Sequence, residues 1–126
     1  SAMSAETVRL NVTASNLANA QSVGSSEQST YHARHPVFAA VMGSLRDNAA
    51  SAGVAVSGIV ESQAPLEPRY QPEHPMANEE GYVFLPNVNI VDEMANMISA
   101  SRSYQGNVEV LNTSKQLMLA TLKLGQ

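Results

Sequence analysis

The chain has 126 residues, 44% of them hydrophobic and only 14% charged, with a formal net charge of −4. Its length allows one compact core of ordinary size with something attached to it, and its low charge excludes disorder driven by self-repulsion. Seven basic residues scattered singly (Arg9, Arg34, Arg46, Arg69, Arg102, Lys115, Lys123) form no stripe able to neutralise a phosphate backbone, so no nucleic acid is expected as a partner.

The longest apolar run, the six residues Val37–Met42, is far too short to cross a bilayer, and no membrane insertion and no cleaved signal peptide are expected. Cysteine is absent and aromatics are 5%, which removes disulfides, thiolate chemistry and a base-stacking platform. All six prolines lie between Pro36 and Pro86. Because an interior proline costs a helix about 3 kcal/mol, the chain divides into a helical N-terminal arm (1–20), a linker and small β-rich middle (21–88), and a helical C-terminal arm (89–126). The expected fold class is α+β, with the two arms pairing as a coiled coil and a small, mainly antiparallel sheet between them.

In the N-terminal arm Met3, Thr7, Leu10, Ala14 and Leu17 recur at steps of four and three, a seam weakened by Thr7 and Ala14. The Ser-, Gln- and Gly-rich stretch Gln21–Thr30 predicts a loop or linker. A strand is expected within Tyr31–Met42, before or after Pro36, followed by a loop over Gly43–Ala52. Gly53–Ser62 predicts a second strand whose alternation shifts at Ser57-Gly58, as a β-bulge would require. Glu67–Gln71, hemmed by Pro68 and Pro72, fits an edge strand or extended passage, and Glu80-Gly81 predicts a turn into a strand at Tyr82–Leu85.

The C-terminal arm carries the clearest pattern. Ile90, Met94, Met97, Ser101, Tyr104, Val108, Leu111, Lys115, Met118 and Leu122 alternate steps of four and three, the a/d repeat of a coiled-coil seam. Asn89, with Asp92 three residues on, predicts the helix start; Lys115 and Lys123 lie towards its end and Gly125 predicts its stop. Gly106 is the one weak point inside. A helix from Ile90 to Leu124 would be roughly 50 Å long, about twice what the N-terminal arm can cover. Part of the stripe therefore asks for other chains.

Motifs that resemble chemistry are better explained structurally. His32 and His35 would point to opposite sides of a strand and have no local third ligand, so a surface or interface role is expected, and His74 between Pro72 and Pro75 belongs to a rigid loop. Glu79-Glu80 and Glu61/Glu67 have no activated nucleophile or oxyanion hole beside them, and no nucleotide-binding or nucleophile-elbow motif is present. No cofactor, metal or catalytic residue is predicted. Met94, Met97 and Met118 fall on the seam and read as adaptable packing residues. Asn11, Asn16, Asn19, Asn96, Asn107 and Asn112 all fall on expected helices. They are either solvated, or their amides satisfy one another across packed neighbours and fix register.

Ser15-Asn16-Leu17-Ala18-Asn19-Ala20-Gln21-Ser22-Val23-Gly24 resembles the N-terminal signature of the bacterial flagellar axial proteins, the rod, hook and hook-associated subunits. Val88–Gln105 (VNIVDEMANMISASRSYQ) resembles their C-terminal signature, and the tail through Leu124 continues it. The middle, Tyr31–Phe38 and Tyr70–Ala77 leading to Gly81-Tyr82-Val83 and Pro86-Asn87-Val88-Asn89, is nearest to the proximal rod proteins of C type. The resemblance implies a non-enzymatic building block of the basal-body rod, the drive shaft crossing the periplasm. Such a subunit is exported by the flagellar type III apparatus and polymerises helically. It implies as partners other copies of the chain, other rod subunits, and the basal-body ring and export-gate junction proteins. The arms would form the inner tube and the middle would face outward, to other rod subunits, ring proteins or the cell wall. It also implies further residues ahead of the first helix, with assembly and export information in them. The expected assembly interface is Leu10, Asn16, Leu17, Asn19, Met94, Met97, Tyr104, Val108, Leu111, Met118 and Leu122. The competing expectations are a secreted helical adaptor of finite stoichiometry and, more remotely, an enzyme using His32 and His35 as metal ligands beside Glu61 or Glu67.

Overall fold

The structure, a computed structural model, describes residues 2–41 and 53–125. The loop expected over Gly43–Ala52 lies outside the described residues. Helix α1 spans Ala2–Ala18, free of glycine and proline, and ends where Asn19 folds back: its backbone N–H and its side-chain Nδ2 both donate to Ser15 O, at 3.1 and 2.9 Å. Ser22 then donates through its N–H and Oγ to Asn19 O, closing the turn that leads the chain away from the helix axis.

Strands β1 (Arg34–Val41) and β2 (Gly53–Glu61) pair antiparallel, and β3 (Glu67–Tyr70) and β4 (Tyr82–Leu85) do the same. Pro36 sits inside β1, opposite Ile59; in a two-stranded ribbon every strand is an edge, so its missing N–H costs no central ladder bond. The register shifts where Val37 faces Gly58 and Phe38 faces Val56, leaving Ser57 as the extra residue, with its Oγ donating to Val37 O at 3.0 Å. The shift in alternation at Ser57-Gly58 is this bulge.

The four strands form two separate ribbons, not the one small sheet expected. The free edge of β4 is occupied by Gly24, which exchanges both backbone hydrogen bonds with Phe84 (3.1 and 2.9 Å), so neither β1 nor β2 can add there. Glycine at 24 is required by the close approach of Thr30 from its own loop: a Cβ there would collide with the Thr30 hydroxyl and lie 3.0 Å from its backbone. The turn from β3 to β4 is held by Asn78, whose Oδ1 accepts from the N–H groups of Glu80 and Tyr82, both at 3.0 Å. Gly81 follows at φ +86°, with Tyr70 and Tyr82 stacked at a tilt across the strands.

Helix α2 spans Ile90–Leu124, 35 residues or about 53 Å at 1.5 Å each. Its start is as expected, with Asn89 Oδ1 accepting from Asp92 N at 3.2 Å. Gly125 caps it in a right-handed conformation (φ −79°), so this stop uses no left-handed glycine geometry. Helix α1 runs antiparallel along α2, with Asn16 late in α1 meeting Glu93 early in α2. The positions of α2 that lose exposure are Glu93, Asn96, Met97, Ala100, Ser101, Tyr104, Asn107 and Val108. Beyond Val108 every described residue of α2 is exposed.

Candidate functional site

Two features of the described chain have functional geometry, a polar joint between the arms and the β middle, and the unpaired outer half of α2.

The joint is built around Asn16, which is 1% exposed. Its Nδ2 donates to Arg34 O at 2.8 Å and to Glu93 Oε2 at 3.1 Å; its Oδ1 accepts from Arg34 N at 2.9 Å and from the Tyr31 hydroxyl at 2.7 Å. A carboxamide offers two donors and two acceptor lone pairs, so every position is used. Towards β1, Asn16 plays the part of a strand neighbour, engaging both backbone groups of Arg34. Towards α2, it pairs the buried Glu93 carboxylate. Tyr31 adds a contact to Ser15 Oγ at 3.0 Å, and the Arg34 guanidinium lies 5.5 Å over its ring centroid.

A second amide, Asn87, lies two residues before the α2 cap and bonds to backbone of the β middle. Its Oδ1 accepts from Ala33 N at 2.7 Å, and its Nδ2 donates to Ala64 O at 2.9 Å and Ser62 O at 3.3 Å. It therefore ties the entry to β1, the exit from β2 and the residues leading to α2, while Ser62 N donates to Ala33 O at 2.7 Å. Asn16 thus ties the end of α1 to both β1 and α2, and Asn87 ties together the segments that flank β1 and β2.

The outer half of α2 is the opposite case. Leu111, Leu117, Met118, Leu122 and Leu124 are all more than half exposed. The face that α1 covers continues in register past Val108 through Leu111, Met118 and Leu122.

The other residues expected at an assembly interface are distributed between these features. Leu10, Leu17 and Asn19 are half-buried on or just after α1; Met97, Tyr104 and Val108 are half-buried along the covered face of α2. Met94 points away from α1 and is 54% exposed, because the Asn16–Glu93 bond turns Glu93 inward and the small, fully buried Ala100 lets the helices close. Glu93, Ala100, Tyr31 and Asn87 are the joint residues that pattern reading passes over. An acidic residue in a first helical turn looks like a partner for the helix dipole, and nothing local marks it as buried. Of the helical asparagines, Asn11 and Asn112 are exposed and only Asn16 is buried; it pairs with backbone, a carboxylate and a hydroxyl, not with another helical amide.

The described chain also has hollows. An open polar one of about 650 Å³ lies beside Asn19, Tyr31, His32 and Gln63, and a smaller one of about 190 Å³ lies between α1, α2 and β1 at Arg9, His35 and Asn96. Among the described residues no group of three or more His, Cys, Asp or Glu side chains is placed to hold a metal ion, and no helix is long and apolar enough to cross a membrane. His32 Nδ1 lies 2.9 Å from Thr30 O, and His74 Nδ1 accepts from Met76 N at 3.0 Å.

Long terminal helices flanking a small β middle, with signature residues at the joint, are features that comparison with known proteins can place. The family model described as flagella basal body rod protein matches residues 1–24, and that described as flagellar basal body rod FlgEFG protein C-terminal matches residues 79–124. These define the class, the rod proteins of the flagellar basal body. The chain is 52% identical over 126 residues to the flagellar basal-body rod protein FlgC of Escherichia coli, spanning all of this chain and 92% of that protein. It is 51% identical to FlgC of Salmonella typhimurium over the same shares, and 33% identical over 138 residues to FlgC of Borreliella burgdorferi, covering 98% of this chain and 91% of that one. The chain belongs to the FlgC family of flagellar basal-body rod proteins.

Proposed function

We propose that this chain is a structural subunit of the proximal rod of the bacterial flagellar basal body, polymerising helically into the drive shaft that transmits torque. The observation that carries the reading is the exposed stripe on the outer half of α2, in a chain whose two ends match rod-protein families. An isolated chain that leaves Leu111, Met118 and Leu122 more than half exposed forgoes a large part of what full burial would supply, about 1.5–3 kcal/mol for each. Packing against neighbouring subunits recovers it.

In this reading the arms (1–20 and 89–126) build the tube and the middle (21–88) faces outward. Leu10, Leu17, Asn19, Met94, Met97, Tyr104, Val108, Leu111, Met118 and Leu122 belong to the assembly surface, and Asn16 acts from inside, holding the angle between arms and middle. The partners are other copies of the chain and other rod subunits, reached by export through the flagellar type III apparatus. Ring and export-gate junction proteins are the neighbours at the base. The role is mechanical and requires no cofactor. Deleting the gene is expected to abolish motility and the rod, with restoration by the intact gene and recovery of the protein in isolated basal bodies. A motile deletion strain would refute the proposal.

A further inference from the structure

The exposed half of α2 has a second face that the rod reading leaves without a role. Gly106, Val110, Thr113, Leu117, Ala120 and Leu124 also alternate steps of four and three, and none is charged. This second seam lies two positions on from the first, Tyr104, Val108, Leu111, Lys115, Met118 and Leu122. At about 3.5 residues per turn, two positions turn the helix by about 205°, so the two seams open at about 155° on their narrower side. Both are bare on the outer half: Val110 and Leu117 are 65% exposed and Leu124 is 89% exposed, against 66% for Met118 and 64% for Leu122. A Cβ at Gly106 would meet nothing within 4 Å, so none of the described residues fills the notch there.

We infer that the second seam is the docking surface for the first seam of a neighbouring copy of this same chain, the two α2 helices running parallel. The first seam is continuous with the interface α1 already makes, and it presents the large side chains Leu111, Met118 and Leu122. The second alternates large residues with the small Gly106, Thr113 and Ala120, which supply holes for those knobs. The only charge on either seam is Lys115, whose long apolar stem would let its ammonium reach water from a packed seam; Glu109 and Lys123 fall on the wider side between the seams. A two-fold pair would bury one seam twice and leave the other wet. Head-to-tail pairing of first seam on second buries both in every copy and repeats until a ring or helix closes. An opening near 155° suits a wide tube with on the order of a dozen helices around it, whereas a compact four-helix bundle needs about 90°. The inference rests on the rod reading, since an ordered array supplies the second copy.

The chain contains no cysteine, so cross-linking reads the pairing directly. In cells whose only copy is the variant, Leu117→Cys on the second seam is combined in turn with Leu111→Cys, Met118→Cys and Leu122→Cys on the first, and isolated basal bodies are oxidised and run without reductant. At least one pair is expected to give dimers and a ladder of higher species, with all four single variants remaining monomeric. A dimer from any single variant, or monomers alone from all three pairs in basal bodies that contain the protein, overturns the inference. Absence of even the unsubstituted protein from basal bodies would instead sink the rod reading. Filling the notch with Gly106→Leu gives an independent arm. The isolated chain is expected to keep or gain helical signal while motility is lost, and motile Gly106→Leu cells would overturn the pairing.

Discussion

Replacing Asn16 with alanine removes a side chain that makes four hydrogen bonds and leaves their partners in place. Arg34 N and Arg34 O lose acceptor and donor, the Tyr31 hydroxyl keeps only its contact with Ser15, and the buried Glu93 carboxylate loses its Nδ2–H. A buried polar group stripped of its partner costs about 1–3 kcal/mol, more when it is charged. Arg34 is exposed enough for water to replace part of what is lost, so the sum is expected at about 3–5 kcal/mol, not the full total of the separate terms. Against the 5–15 kcal/mol typical of a domain, that is a large fraction. Asn16→Asp is expected to be no better, because it keeps both acceptors but sets a second carboxylate against Glu93. Asn112→Ala, on the exposed part of α2, is the control and is expected to change stability by about 0.5 kcal/mol or less. Urea unfolding followed by circular dichroism measures all three. If Asn16→Ala costs less than about 1 kcal/mol, or no more than Asn112→Ala, the joint is not a fastening and the reasoning fails.

Leu111→Asp should be nearly silent in the isolated chain, where the position is 56% exposed, yet block rod assembly by burying an unpaired charge at a cost of several kcal/mol per subunit; swimming Leu111→Asp cells alongside non-motile Glu109→Ala cells would place the assembly face elsewhere. Among the glycines, Gly24→Ala and Gly81→Ala should each cost about 1–3 kcal/mol, the first by colliding with Thr30 and the second through its φ of +86° and a contact of 2.8 Å with the Tyr70 ring. Gly58→Ala, with open space around it, should be neutral by the same unfolding assay. Amide exchange on the monomer should show α2 protected from Glu93 to Val108 and labile beyond; uniform protection to Leu124 would contradict an arm completed only by its neighbours.

The order and type of the elements were legible in the amino-acid pattern because they rest on local chemistry. Proline confinement separates arms from middle, the Asn89 cap starts α2, and the broken alternation at Ser57-Gly58 marks the bulge. The excess length of α2 over α1 likewise announces an unpaired stripe. The repeat of fours and threes also marks most of the covered face of α2, since Met97, Ser101, Tyr104 and Val108 all lose exposure. Tertiary structure alone decided how that face begins: Glu93, and not Met94, is turned inward by its bond to Asn16, 77 residues away, and the buried Ala100 lies beside the seam. The separation of the strands into two ribbons has the same origin. Whether Gly24 or another strand takes the free edge of β4 depends on where the end of α1 delivers the chain, and that direction exists only once the helices have packed.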